Sequence, residues 1–402
     1  MPSISIENLD LGNSMAISQY VKSVSMNNRK TGVQYASRLR NFTTYFSKKY
    51  NFTIDEFLIS KKFKIDVYEL LSSYGFYLTS EYVSPDGFKL SNITIKNILN
   101  TIRNFLEYHD IEINPRKYRL KVRQPKVIRQ HKEALTKEDI AKILQACVTP
   151  KLRIFVHFLA VTGCRASEAC AVRLMDFDLK NSKVFIRGAY TKTRSDRYVF
   201  LTSEFIDQLL EYLKYKYRKR VRYYEPGKEP TVIIPQQKDT DLLFASYFYN
   251  AQNENQVIDY IYNNLVLQFE KTLDLLKIPF ENNSTKRRRK ITFHSFRRFV
   301  KSVISDLGYS DFSEWYIGHL GSTYYRRSDK DKFELFKKIE PYLTFLDQRL
   351  LEAKQQDLTS KIESIEKENR ELRENMHKIM EMIQENPSLA NVKPEVLTKK
   401  VT

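Results

Sequence analysis

Glycine and cysteine are scarce in this 402-residue chain, which has 10 Gly and three Cys. No segment matches the phosphate-cradling patterns GxxxxGKS/T or GxGxxG, so the common nucleotide-binding loops are excluded. Cys147, Cys164 and Cys170 form neither an even framework nor a CxxC pair. That argues against structural zinc and for a reducing compartment. Also lacking is any run of about 18 uncharged apolar residues of the kind that spans a bilayer. The first residues, MPSISIENLDLGNSM, do not place an apolar run behind a basic one, so neither secretion nor a membrane span is expected. Acidic residues are outnumbered, 48 against 67 Lys+Arg, for a formal charge of +19.

What is present is enough apolar mass for real cores: 42% hydrophobic and 13% aromatic residues rule out global disorder. At roughly 100–200 residues per domain the length predicts two or three folded units. Residues 1–348 hold the whole positive excess, 57 Lys+Arg against 38 Asp+Glu. A protein this basic is expected to meet a polyanion, although well-solvated surfaces can be basic too.

The pattern along the chain predicts a mainly α fold with a small β-sheet. Residues 1–112 read as a helical domain. Val33, Tyr35, Leu39, Phe42, Tyr45 and Phe46 recur at near-helical spacing, as do Ile93, Ile95, Ile98, Leu99, Ile102, Phe105 and Leu106 behind a capping Ser91. The polar faces carry Arg29, Lys30, Arg38, Arg40, Lys48 and Lys49, suited to phosphates. Residues 113–134 (INPRKYRLKVRQPKVIRQHKEA) read as a basic, extended interdomain linker broken by Pro115 and Pro125. Thr136 and Asp139 have capping-box spacing and open a second domain, 135–348. Within it VFIRG (184–188) and RYVFL (197–201) are β-prone runs joined by YTKTRSD, which holds Lys192.

The C-terminal segment changes character. Leu351, Leu358, Ile365, Leu372 and Ile379 repeat every seven residues, with Gln355, Ile362, Asn369, Met376 and Ile383 on the second seam. Residues 349–386 are therefore expected to form a coiled coil and to mediate self-association, with Asn369 fixing register. Pro387 ends the repeat, and 387–402 read as a disordered tail.

Breaking a phosphodiester without a metal needs cations on the non-bridging oxygens, an acid for the leaving oxygen and a nucleophile. Arginine suits the first role, because its fork stays charged and binds phosphate through two nitrogens. Arg165 follows a Thr-Gly turn, Lys192 lies between strands, and HSFRR sets His294 and Arg297 at i, i+3 on one helix face. Taken singly, each has a plainer reading: a salt-bridge partner, a surface lysine, a capping histidine. Arg194 could also take the role given to Lys192. The run Lys286, Arg287, Arg288, Arg289, Lys290 is by default a solvated loop that could contact phosphates.

The ordered set of boxes resembles the tyrosine recombinases, or phage-type integrases. TGCRASEACAVRLMDFDL is similar to that family's first box, with Glu168 three residues after Arg165. Lys192 before RYVFL, His294-x-x-Arg297, and Gly318-His319 within IGHLGSTYY continue the order across roughly 135–348. GSTYYRR followed by KIEPYLTFLD most resembles integrases of archaea and their mobile elements. The resemblance implies a helical core-binding domain, a catalytic domain and a site-specific recombinase working on double-stranded DNA without cofactor or metal. It places Arg165 and Arg297 on the scissile phosphate and makes Lys192 the general acid on a mobile loop. His294 and His319 would assist, Glu168 would support the Arg165 helix, and a tyrosine would be the nucleophile. The family's usual nucleophile position, nine residues past the last histidine, is Ser328 here. Tyr324 is the expected nucleophile, with Tyr325 and the more distant Tyr342 as alternatives. The implied setting is cytoplasmic and DNA-associated, with dimers or tetramers forming on DNA. A type IB topoisomerase-like nicking and closing enzyme, and a non-catalytic architectural DNA-binding protein, are the competing readings.

Overall fold

A computed structural model describes residues 14–59, 65–127, 135–222, 231–246, 253–278, 280–283, 286–319, 327–346, 368 and 371–372. The heptad segment and the tail lie outside the described residues, save Glu368, Glu371 and Leu372, which are helical. Among the described residues no helix is long and apolar enough to cross a membrane.

Six helices come first: α1 (Met15–Asn27), α2 (Arg29–Tyr50), α3 (Ile54–Ile59), α4 (Val67–Ser80), α5 (Asn92–Tyr108) and α6 (Pro115–Lys121). Asn28 serves two of them. Its N–H closes α1 on the Val24 carbonyl, and its side chain accepts from Thr31 N to open α2. At the α1–α2 crossing a Cβ on Gly32 would lie 1.9 Å from Ser25 Oγ, so a larger residue there would have to displace that hydroxyl. The predicted stripes of α2 and α5 meet in a buried cluster with Leu39, Phe42, Phe46, Leu99, Ile102 and Phe105 at its centre, although Ile93 is exposed. Ser91 caps α5 by accepting from Thr94 N at 3.3 Å.

The stretch expected to be an extended linker starts differently. Asn114 accepts from Arg116 N at 2.9 Å and Lys117 N at 3.1 Å, Pro115 occupies the first turn, and α6 packs Tyr118 into the cluster. Proline is pre-organised for that position, so it starts a helix here and does not break one. Three basic residues of α2 are engaged within the fold. Arg38 donates to Thr101 Oγ1 at 2.8 Å, Lys49 to Ser73 Oγ at 2.7 Å, and Lys30 pairs with Asp259 at 2.7 Å.

A second buried cluster runs from Leu135 to Leu346. Its helices are α7 (Lys137–Ala146), opened by the expected Thr136–Asp139 capping box, α8 (Pro150–Thr162), α9 (Ala166–Cys170), α10 (Ser203–Lys216), α11 (Glu254–Leu275), α12 (Phe293–Asp306), α13 (Ser310–Ile317) and α14 (Asp329–Ile339). The two β-prone runs pair antiparallel as β2 (Lys183–Ile186) and β3 (Arg197–Phe200), with Val184 opposite Val199. A short β1 (Phe177–Asp178) adds a third strand. Two further antiparallel pairs are β4 (Arg220–Arg222) with β5 (Thr231–Ile233), and β6 (Phe280–Asn283) with β7 (Lys286–Arg289). The basic run is thus mostly a strand; its charges hid the alternation that normally signals one.

Candidate active site

Helix α8 is buried along nearly its whole length and ends at Gly163, whose φ of 61° is left-handed. A Cβ there would press on Ile317 and Val300 at 3.1–3.2 Å, so glycine lets these side chains of α13 and α12 pack against the turn. The chain then turns through buried Cys164 into Arg165. The helix that Arg165 opens, α9, is only five residues long.

Glu168 sits at the centre of the site with no exposed side-chain surface. One carboxylate oxygen accepts from Arg165 Nη1 at 2.7 Å; the other accepts from Arg197 Nη2 at 2.6 Å and from the Arg165 backbone N–H at 3.2 Å. Burial alone would push this carboxyl up, but Arg197 and then Arg165 outweigh it and hold it below the ordinary value. These bonds tie Glu168 to both arginines.

Arg297, on α12, is 3% exposed and donates from Nη1 to the Gly163 carbonyl at 2.8 Å. Its Nη2 is buried with no hydrogen-bond partner among the described residues. Burial, and next the charge of Arg165, bring its pKa down to about 10. The Gly163 bond brings Arg297 to the turn that carries Arg165, which keeps about a quarter of its side chain exposed. His294, one turn earlier on α12, is exposed and lines a cleft of about 540 Å³ with Arg165, Lys30, Tyr262, Phe269 and Arg289.

Lys192 is exposed on the β2–β3 connection. That connection is a hydrogen-bonded turn in the structure. Asp196 accepts from Gly188 N at 2.5 Å, Thr191 Oγ1 donates to the Gly188 carbonyl at 3.0 Å, and Ser195 N donates to Thr191 Oγ1 at 3.2 Å. Arg194 in the same turn has a φ of 53° and donates to the Asn27 carbonyl at 3.3 Å.

Gly318 ends α13 with a φ of 70° and delivers His319, whose Nδ1 pairs with Glu314. Glu314 also pairs with Lys301 on α12 at 2.5 Å. Tyr324 and Tyr325 lie outside the described residues. Tyr342 stands in a short 3₁₀ turn, Glu340–Leu343, half exposed.

Two participants escaped sequence reasoning: Arg197, which shares Glu168 with Arg165, and Glu314, which holds His319. The signal for Arg197 was available. It falls in register with Val199 on the inward face of β3, and an arginine on a buried face requires a charged partner. Among the described residues no group of three or more His, Cys, Asp and Glu side chains is arranged to hold a metal ion.

Residues 133–309 match the model of the phage integrase family. The archaeal Tyrosine recombinase XerA of Saccharolobus solfataricus is 32% identical over 128 residues, covering 32% of this chain. Residues 133–309 thus resemble a phage integrase, or tyrosine recombinase, domain. The integrase match takes in Arg165, Lys192, His294 and Arg297 and stops before Gly318. A second relative, Tyrosine recombinase XerA of Thermococcus onnurineus, is 27% identical over 126 residues, 31% of this chain. The chain spans 41% and 43% of the length of these two relatives. Among solved structures, XerH site-specific recombinase bound to difH substrate overlays with a TM-score of 0.49 at 19% identity, covering 85% of this chain and 84% of that one. The crystal structure of XerA recombinase gives 0.34 at 18%, covering 85% and 97%.

Proposed function

We propose that the protein is a site-specific DNA recombinase, an integrase that cuts and rejoins strands of double-stranded DNA through a 3′-phosphotyrosyl intermediate. The observation that carries this reading is the pair Arg165 and Arg297. Two guanidiniums are held close together by fixed partners, one of them desolvated and with an orphaned donor, and a bound phosphate would relieve both penalties. The cations stabilise the charge that builds on the non-bridging oxygens as phosphorus is attacked.

In the step assigned here, the Tyr324 hydroxyl oxygen bonds to phosphorus as its proton passes to Nε2 of His319, and the bond to the 5′ oxygen breaks. Lys192 gives that oxygen its proton, and the 3′ phosphate stays on the tyrosine. The free 5′ hydroxyl of a partner strand then reverses the step, so the phosphoester bond is conserved and no nucleotide is consumed. His294 beside the cleft supplies a hydrogen bond to the phosphate, and His319, its Nδ1 held by Glu314, serves the proton transfer.

Within this reading residues 1–112 are the core-binding domain, 113–134 connect it to the catalytic domain 135–348, and 349–386 join protomers as a coiled coil ahead of the tail 387–402. The protein works on DNA in the cytoplasm as a dimer or tetramer. The test is a suicide substrate carrying the element's attachment site, with the phosphotyrosyl peptide mapped by mass spectrometry. Tyr324 in the adduct, and its loss in Tyr324→Phe, is the expected result. Tyr325 in the peptide would move the nucleophile, relaxation of plasmid without recombination would favour a topoisomerase, and no adduct on any site-bearing DNA would leave an architectural protein.

A further inference from the structure

The activity proposed above uses Arg165, Arg297, Lys192 and the histidines. It gives no part to Arg197, a second buried cation of the site beside Arg297. Arg197 opens β3 five residues after Lys192, and its side chain is 7% exposed. Only one of its three nitrogens is well satisfied: Nη2 donates to Glu168 at 2.6 Å and lies 3.6 Å from Cys164 Sγ. Nε and Nη1 are buried with no hydrogen-bond partner among the described residues. Both lie against Gly318, where a Cβ would sit 2.9 Å from Nε, Nη1 and Cζ.

An arginine serving stability alone is poorly used this way. Two orphaned donors and a buried charge are costly, and a whole buried ion pair replaced by apolar side chains of similar volume is often neutral or stabilising; with Arg197 replaced, Glu168 still keeps Arg165 as its partner. What the guanidinium supplies is geometry, through a planar fork in contact with three pieces of the site at once. It holds one oxygen of Glu168, so that Arg165 engages the carboxylate through a single nitrogen and is not drawn into a two-nitrogen clasp. It also balances charge. Glu168 alone against Arg165 would make a neutral pair, whereas the triad of Arg165, Glu168 and Arg197 keeps one positive charge beside Arg297. Finally its flat face fills the space that only glycine leaves open at the turn before His319.

We infer that Arg197 is a positioning residue for strand cleavage, fixing Arg165 through Glu168 and seating the Gly318–His319 turn against the same guanidinium. The inference rests on the recombinase reading, and its test separates the two. Full-length wild type, Arg197→Lys, Arg197→Met and Gly318→Ala are compared on the suicide substrate for single-turnover adduct formation at saturating DNA, for DNA affinity and for thermal unfolding.

Arg197→Met is expected to fold and bind DNA within about threefold of wild type, since it removes no phosphate contact. Its cleavage rate should fall by about 100-fold, the size of effect produced by a misplacement on the order of 1 Å. Arg197→Lys should regain part of that rate. Gly318→Ala should slow cleavage in the wild-type background and less so when combined with Arg197→Met, because a flexible thioether can yield to the new methyl.

Cleavage by Arg197→Met within about threefold of wild type overturns the role, as does a loss that appears wholly in DNA affinity. Should Arg197→Met not fold, the Lys variant decides: full activity with Gly318→Ala unimpaired overturns the inference, and a rate loss at unchanged affinity supports it. Wild-type protein that forms no adduct would instead sink the recombinase reading.

Discussion

Arg297 Nη1 donates to the carbonyl of Gly163 at 2.8 Å, joining residues 134 positions apart in the chain. The bond ties the His-x-x-Arg helix to the turn that delivers Arg165, so the two guanidiniums keep a fixed separation before any ligand arrives. Their mutual repulsion, added to burial, is what lowers the Arg297 pKa. An anion that fits between them should therefore stabilise the fold. Titrating sulfate or phosphate should raise the melting temperature of the wild type, by a free energy of about 2.7 kcal/mol at a hundredfold excess over the dissociation constant. The rise should vanish in Arg165→Ala and in Arg297→Met. An equal rise in all three proteins would show that the salt acts generally and that the pair is no anion site.

Glu168 is the anionic centre of the site, and its removal should be costly. Glu168→Ala leaves Arg197 buried without its partner, a class of change that destabilises by about 3–5 kcal/mol. Urea midpoints measure this directly, and a loss under about 1 kcal/mol would mean that the arginines re-pair or hydrate freely. The pH dependence follows from the lowered pKa of this carboxyl. A group depressed in the folded state contributes stability that is present above its unfolded value. That contribution is lost as the pH falls through the folded one. Wild-type stability should thus decline below about pH 4.5 more steeply than that of Glu168→Gln, which cannot titrate.

Much of this candidate site was legible in the chain because its residues sit at element boundaries, where sequence punctuation is strong. Gly163, the Thr292 turn into α12 and Gly318 mark three such boundaries, and Arg165, His294 and His319 stand next to them. The Thr136 capping box, the Ser91 cap and the β2–β3 pair were likewise visible as local patterns. Arg197 was not, because its meaning comes from a carboxylate 29 residues away that only folding brings to it. β7 was hidden by its own composition, KRRR, which has no apolar alternation. The Asn114–Pro115 start of α6 is present in the sequence too, but a proline reads as a breaker or as a first-turn residue until its capping partner is recognised.

Lys192 is exposed at the tip of a turn whose own hydrogen bonds hold its shape, so its contribution should be chemical more than structural. Lys192→Ala should leave the melting temperature within a degree or two, the usual fate of exposed substitutions. Cleavage of ordinary DNA should slow by about 100-fold or more, the range of general acid catalysis. A substrate whose bridging 5′ oxygen is replaced by sulfur leaves without needing a proton, and should restore most of the rate. If the sulfur substrate is cleaved as poorly as ordinary DNA, the proton donor lies elsewhere. Arg194 in the same turn is then the first residue to test.

His319 depends on Glu314 for its orientation. Because the carboxylate pairs with Nδ1, that nitrogen carries the proton and Nε2 is the acceptor nitrogen. Partial burial raises the Glu314 carboxyl, yet the bonds from Lys301 and His319 prevail and keep it below its ordinary value, so it stays ionised throughout the neutral range. Glu314→Gln preserves size and removes the charge. Since Glu314, Lys301 and His319 are each more than a third exposed, stability should hardly change. Adduct formation should nevertheless fall by about tenfold, as the ring loses the partner that fixes its tautomer. Lys301→Ala, which leaves the Glu314–His319 contact in place, should cost less than about threefold. Measured at saturating DNA from pH 6 to 8, the Gln variant should stay below wild type across the whole range. Equal rates for the two proteins would show that His319 is positioned without Glu314.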